Sequence, residues 1–296
     1  MTAAWPPLPL AEWADTCATL HMWTQVVGKI RLALAPPVNH WWHVTLAVTA
    51  RGLTTSPMPY GTGMLEIAFD FIDHRLLLET SDGRRRTIIL EAKPVADFYR
   101  EVVQALHELE IAVHIWPMPV EVPAPIRFDE DVQHQSYDRV WVERWWQALL
   151  QIDAVLKEFR GRFLGKASPV HFFWGSFDLA VTRFNGRRAP ERPGADPITR
   201  EAYSHEAMSA GFWPGSGALQ EAAFYAYAAP EPPGYKTARV GPQAAFYSPD
   251  FNEFILKYED VRTAASPRDA LIEFLQTTYE AGATLANWNR PELERG

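Results

Sequence analysis

The sequence predicts an α+β fold made of two tandem pseudo-repeats, each a long helix, an antiparallel sheet and a closing helix. Three observations predict it. The tetrapeptide Leu46-Ala47-Val48-Thr49 recurs as Leu179-Ala180-Val181-Thr182, at an offset of 133 residues. At the same offset Trp41 aligns with Trp174, Pro36 with Pro169, and Trp23, Val26 and Ile30 with Leu156, Phe159 and Phe163. In both halves a stretch of helical period is followed by strand-like runs and then by a second helical stretch.

The first helix is expected over Ala11 to Leu34, because Leu20, Trp23, Val27, Ile30 and Leu34 recur every three or four residues and Ala35-Pro36-Pro37 then stops it. A long strand is expected from His40 to Arg51, then a Pro-rich turn from Thr54 to Gly61. Met64–Phe71, His74–Thr80 and Thr87–Leu90 read as antiparallel strands, the last two joined at Ser81-Asp82-Gly83. Val95–Leu109 is amphipathic helix, and Ile111–Trp116 reads as one more strand. The Pro-rich and then acidic stretch that follows reads as a surface linker.

The pattern then restarts. Trp145, Leu149, Ile152, Leu156, Phe159 and Phe163 form an apolar helical stripe, ended by Ser168-Pro169. Val170–Phe184 reads as a second long strand. Further strands are expected near Ala222–Ala228, Ala244–Tyr247 and Glu253–Leu256, and Pro267 opens a last helix over Arg268–Ala281, at the first helical position where proline fits. The division is therefore residues 1–116, a linker at 117–137, and residues 138–296. The second unit carries a longer loop after its matched strand, an insertion at 185–212 of roughly 20 extra residues, and loops of that length are usually functional or disordered.

Composition sets the class. Of 296 residues 47% are hydrophobic and 13% aromatic, with 12 Trp, which fits a globular core with aromatic side chains to spare for a pocket or an interface. A net charge of −8 without a long basic run argues against nucleic acid and anionic membranes as partners. Arg84-Arg85-Arg86 reads as a solvated hairpin tip. Cys17 is the only cysteine, so no intrachain disulfide or Cys-based metal site forms, and a small buried residue is expected there. With no signal-peptide pattern and no apolar run of membrane length, a soluble cytoplasmic protein is expected.

Whole-length blocks resemble an uncharacterised bacterial family, domain of unknown function 5996. They include Thr19-Leu20-His21-Met22-Trp23-Thr24-Gln25, Pro37-Val38-Asn39-His40-Trp41-Trp42-His43, Gly52-Leu53-Thr54-Thr55-Ser56-Pro57 and Phe69-Asp70-Phe71-Ile72-Asp73-His74. They continue through Val170-His171-Phe172-Phe173-Trp174-Gly175-Ser176-Phe177-Asp178 and Tyr203-Ser204-His205-Glu206. The resemblance implies a bacterial origin and one full-length unit, and it supplies no catalytic residues.

Candidate chemistry comes from the two long strands. Alternation puts Phe172, Trp174, Ser176, Asp178, Ala180 and Thr182 on one face, and Trp41, His43, Thr45, Ala47, Thr49 and Arg51 on the matching face of the first copy. A Trp followed by small and polar groups suits a pocket lining. Asp178, in an apolar run, must be paired, hydrated or protonated if buried, with Arg183 or Arg187 as the structural partner.

His43, Asp178, His205 and Glu206 are the candidate catalytic groups, and Trp41, Trp174, Ser176, His21 and Trp213 the candidate substrate contacts. His43, His205 and Glu206 are the candidate ligands for one zinc or iron ion, although no ligand spacing compels a metal and the His-Glu-x-x-His pattern is broken at Ser209. Walker A and Gly-x-Gly-x-x-Gly loops are absent, as is the Gly-x-Ser-x-Gly elbow. The expected function is an enzyme, a hydrolase or a metal-dependent oxidoreductase, acting on a small organic molecule in an aromatic pocket. The alternatives are a non-catalytic small-molecule binder and a Trp-rich module that forms a homodimer.

Overall fold

A computed structural model describes residues 4–217 and 219–295. Helix α1 (Ala14–Leu34) buries Leu20, Trp23, Val26, Val27 and Ile30. Its last bond runs from the Ala35 N–H to the Arg31 carbonyl at 2.8 Å, and Pro36 and Pro37 have no N–H to continue it. The first sheet contains β1 (Ala47–Thr49), β2 (Gly52–Thr54), β3 (Met58–Tyr60), β4 (Gly63–Asp70), β5 (Arg75–Thr80) and β6 (Arg85–Ile89). It is antiparallel in the order β1-β2-β4-β5-β6, with β3 also paired to β4. The hairpin-tip arginines are held by carboxylates: Arg84 by Asp82, Arg85 by Glu79 and Arg86 by Glu108 on α2 (Val95–Glu108). Asp70, Asp73 and His74 form the β4–β5 turn, where Asp70 Oδ1 accepts from the N–H groups of Ile72 and Asp73.

Helix α3 (Arg139–Gly161) starts at Asp138, whose carboxylate accepts from Val140 N–H at 2.8 Å. The second sheet contains β7 (His171–Phe173), β8 (Asp178–Arg188), β9 (His205–Trp213), β10 (Ala223–Ala229), β11 (Phe246–Ser248) and β12 (Glu253–Lys257), in the antiparallel order β11-β12-β10-β9-β8-β7. Helix α4 (Pro197–Ala202) lies between β8 and β9, and α5 (Tyr258–Arg262), α6 (Pro267–Leu285) and α7 (Arg290–Leu293) follow. Pro267 occupies the first turn of α6, with Ser266 as its cap. The described residues thus form an α+β fold of seven α-helices and two six-stranded antiparallel sheets.

The two halves share one core. Trp145 on α3 stacks on Phe177 at 5.0 Å and meets Phe172 at 5.7 Å, Phe71 of the first half at 5.9 Å and Trp13 at 6.5 Å. The sheets also touch edge to edge: Leu46 and Phe172 exchange both backbone hydrogen bonds, at 2.9 and 2.8 Å.

Several expectations change, among them the Pro-rich turn at Thr54–Gly61, which contains β3. Neither long strand exists as such. Residues 39–41 form a 3-10 turn in which His40 and Trp41 have φ of +58° and +62°, and the strand begins only at Ala47. In the second half Trp174 to Phe177 is a hairpin turn, with Phe177 at φ +59°, so β7 and β8 pair with each other. The turn resets the alternation, putting Phe172 with Leu179 in the core and Phe173 beside Asp178 on the other face. The expected insertion at 185–212 is the outer end of β8, then α4, then most of β9, a central strand. Its alternation was hidden because Ala207, Met208, Ala210 and Phe212 are buried on both faces. Finally, Ile111–Trp116 belongs to neither sheet: its alternating burial comes from Ile111 and Ile115 packing on the core, without a strand ladder.

Candidate functional site

One face of the second sheet is covered by helices and the other forms a cleft. Register places Ala180, Gly211, Tyr225 and Ile255 side by side on the cleft face, with Thr182, Ser209 and Tyr227 in the next row. On the opposite face Arg183 is buried beneath Phe159 and Tyr279, where its guanidinium donates to the Phe159 carbonyl and burial lowers its pKa to about 9. Arg183 and Asp178 therefore lie on opposite faces, and no ion pair links Asp178 to it.

Asp178 is the polar centre of the cleft. Ser176 donates to its Oδ1 and Tyr225 to its Oδ2. Tyr225 reaches it by lying across Gly211, where a Cβ would come 2.5 Å from the Tyr225 hydroxyl and 2.4 Å from the Leu179 carbonyl. Burial raises the Asp178 pKa, against the lowering effect of its two donors. Beside it Tyr203 and Tyr227 share a 2.8 Å hydroxyl–hydroxyl bond, and Thr182 and Ser209 another at 3.0 Å.

Two further carboxylates face the same place. Glu121 comes from the segment expected to be a linker, where Gln25 of α1 holds the Val120 backbone through two 2.8 Å bonds, donating to its carbonyl and accepting from its N–H. Glu253 opens β12. Burial and then the Asp178 charge raise both pKa values, that of Glu253 to about 7.

These groups lie where two cavities meet. The larger, about 610 Å³, is walled by Trp41, Trp42, Trp116 and Trp174 and roofed by α4. The smaller and more open one, about 550 Å³, reaches Trp213, Phe251 and Arg192. Glu121, Ser176, Asp178, Tyr203, Tyr225 and Tyr227 border both. Trp174 is fixed by donating from its Nε1 to the Val44 carbonyl at 2.6 Å.

The structure thus brings together Trp41, Trp174, Ser176 and Asp178, with Trp213 in the adjoining cavity. Four other candidates lie elsewhere. His21 lies behind the β7–β8 turn, its Nε2 2.9 Å from the Gly175 carbonyl and its ring on Phe177, and burial lowers its pKa to about 4, so it is a neutral tether. His43 is turned away, its Nδ1 accepting from the Val38 N–H at 3.2 Å. His205 borders neither cavity; its Nδ1 is 3.0 Å from Ser204 Oγ, and its ring lies 5.7 Å from that of His40. Glu206, the next residue of β9, points to the opposite face and binds Arg187 and Asn185, each at 2.7 Å.

Strand alternation therefore keeps His205 and Glu206 from sharing an ion, and His43 joins neither. The proposed metal trio does not assemble, and among the described residues no group of three or more His, Cys, Asp or Glu could hold a metal.

His40, and not His43, borders the larger cavity. Its Nδ1 donates to the carbonyls of Ala202 and Glu201 at the end of α4, and its Nε2 accepts from Lys166 at 2.8 Å. Sequence reasoning also missed Tyr203, Tyr225, Tyr227, Glu121 and Glu253. Tyr225-Ala226-Tyr227 carries a readable period of two; nothing local marks Glu121.

Over residues 5–295 the chain matches a family of unknown function, DUF5996. It belongs to that family. No curated protein and no solved structure matches it. Among the described residues no helix is long and apolar enough to cross a membrane.

Proposed function

We propose that the protein is an enzyme that performs acid–base chemistry on a small organic molecule bound against the cleft face of the second sheet. One observation carries this reading: a buried carboxylate, Asp178, lies with Glu121 and three tyrosines where two aromatic-walled cavities meet, and the half-buried Glu253 faces it from the smaller one. Carboxylates gathered this closely hold their protons to higher pH than usual, Glu253 to about 7, and can both give and take them. Asp178 is the central proton-transfer group, kept in one orientation by Ser176 and Tyr225. Glu253, poised near neutrality, is the partner that exchanges the proton with solvent. Trp41 and Trp174 pack on the body of the substrate.

The test is turnover of a defined mixture of esters, amides, glycosides and hydroxy acids, followed by mass spectrometry. Asp178→Asn is expected to lower the rate of the substrate found by about 100-fold or more, the range for loss of a general acid or base. Unchanged turnover in that variant would refute the assignment. A second reading, a non-catalytic binding protein, is favoured by one feature: both Asp178 oxygens are already satisfied by protein donors. Binding without turnover across the mixture would select it.

A further inference from the structure

Lys29 has an environment unlike that of any other lysine in the chain. It projects from the core-forming stretch of α1, beside Val26, Val27 and Ile30, and is only 5% exposed. Its Nζ sits 5.1 Å from the ring centroid of Trp116 and 5.7 Å from that of Trp174, and it borders the larger cavity. Lys93, Lys157 and Lys257 each pair with a carboxylate, Lys166 donates to His40, and Lys236 is exposed to solvent. Among the described residues Lys29 has neither an ion-pair partner nor a hydrogen-bond acceptor.

The position is built, not incidental. Trp174 lies flat on Gly28, where a Cβ would come within 2.3 Å of its ring, so the glycine lets the indole cover the lysine. Two indole faces attract an ammonium, but they accept none of its three N–H bonds in ordinary hydrogen-bond geometry. The stem is buried while the ammonium opens into the cavity between apolar walls, so an anion that enters the cavity gains by meeting it. Burial also lowers the Lys29 pKa, in keeping with the lack of a counter-charge.

We propose that Lys29 receives the carboxylate of the organic molecule held in the larger cavity, with Trp116 and Trp174 as the walls of that subsite. A single ammonium matches a single negative charge. A phosphate dianion needs more donors than these apolar walls present, and Glu121 and Asp178 in the same cavity oppose it. The ligand is thus an organic acid with its carboxylate at α1 and its reacting part toward Asp178. This inference rests on the reading that the cavity binds a small organic molecule.

The experiment compares monocarboxylates with the amides and amines of the same carbon skeletons, by ligand-observed NMR and calorimetry. The proteins are the wild type, Lys29→Met, Lys29→Arg and Asp178→Asn. Wild type is expected to bind the carboxylates at least about 10-fold more tightly than the amides, as a charge-assisted bond requires. Lys29→Met, which fills the same slot between the indoles, abolishes that preference, whereas Lys29→Arg and Asp178→Asn retain it. Equal binding of acids and amides to wild type, or a preference that survives in Lys29→Met, overturns the lysine assignment. If amides or amines then bind and Asp178→Asn weakens them, the cavity reading stands without it. If no compound of any class binds, both fall.

Discussion

At the scale of single residues, the cleft sets the buried Asp178 beside two more accessible carboxylates, and pH is the simplest handle on it. The Glu253 pKa is raised from 4.5 to about 7 by burial and by the Asp178 charge. A carboxyl whose folded-state pKa is raised favours the native state when protonated. Its contribution is complete below pH 4.5 and is lost as pH rises through 7. Glu253→Gln is therefore expected to unfold at higher urea concentration than wild type at pH 8, by about 1–3 kcal/mol, with the gap closing by pH 4.5. A gap of the same size at both pH values would dissociate Glu253 from this effect. Gly211 makes the other residue-scale prediction. Gly211→Ala drives a methyl into the Tyr225 ring and the Leu179 carbonyl, so it should cost about 1–3 kcal/mol in urea unfolding and free the Tyr225 hydroxyl from Asp178. Ultraviolet titration would then detect an additional tyrosine ionising at lower pH, because Tyr225 is held well above its ordinary pKa by burial first and by Asp178 next.

At the scale of elements, α1 organises a site that belongs mainly to the other half of the chain. Gln25 clamps Val120, His21 tethers the β7–β8 turn and Gly28 seats Trp174. Gln25→Ala leaves the Val120 N–H and carbonyl without that partner, which should cost about 1–3 kcal/mol and raise hydrogen exchange at Val120 and Glu121 ahead of global unfolding. Exchange that changes only with global stability would deny the clamp its local role. The elements themselves were largely legible. Periodicity located α1, α2, α3 and α6 and strands β4, β5, β10 and β12 to within a few residues, because their large apolar side chains recur at helical or strand spacing. The failures have a common physical origin. A hairpin turn at Phe177 and a left-handed pair at His40 and Trp41 interrupt runs that look continuous by composition. In β9 both faces are covered, so the alternation that marks a strand is absent. At the site, Trp41, Trp174, Ser176 and Asp178 stood out by composition, aromatic and polar groups in otherwise apolar runs, although turns and not continuous strands place them. Glu121 and Lys29 were not, because their importance arises from contacts between segments far apart in sequence.

At the scale of the whole molecule, the aromatic packing around Trp145 of α3 joins Trp13 just before α1 and Phe71 just after β4 to Phe172 and Phe177 of the second half. One cooperative urea transition is expected, with tryptophan fluorescence and far-ultraviolet dichroism coinciding. Fragments 1–137 and 138–296 expressed alone should show no protease-resistant core; a stable fragment would overturn this. The Leu46–Phe172 pairing has a further consequence, for how the chain escapes sticking to its neighbours. Each sheet would otherwise end in a strand with open hydrogen-bonding groups at β1 or β7, a template for other chains. Turning those two margins toward each other leaves β6 and β11 as the outer margins, and β6 carries the charged pair Arg85 and Arg86. Opening of the two halves unmasks both hidden margins at once, so aggregation on heating should track that opening and leave the intact molecule monodisperse.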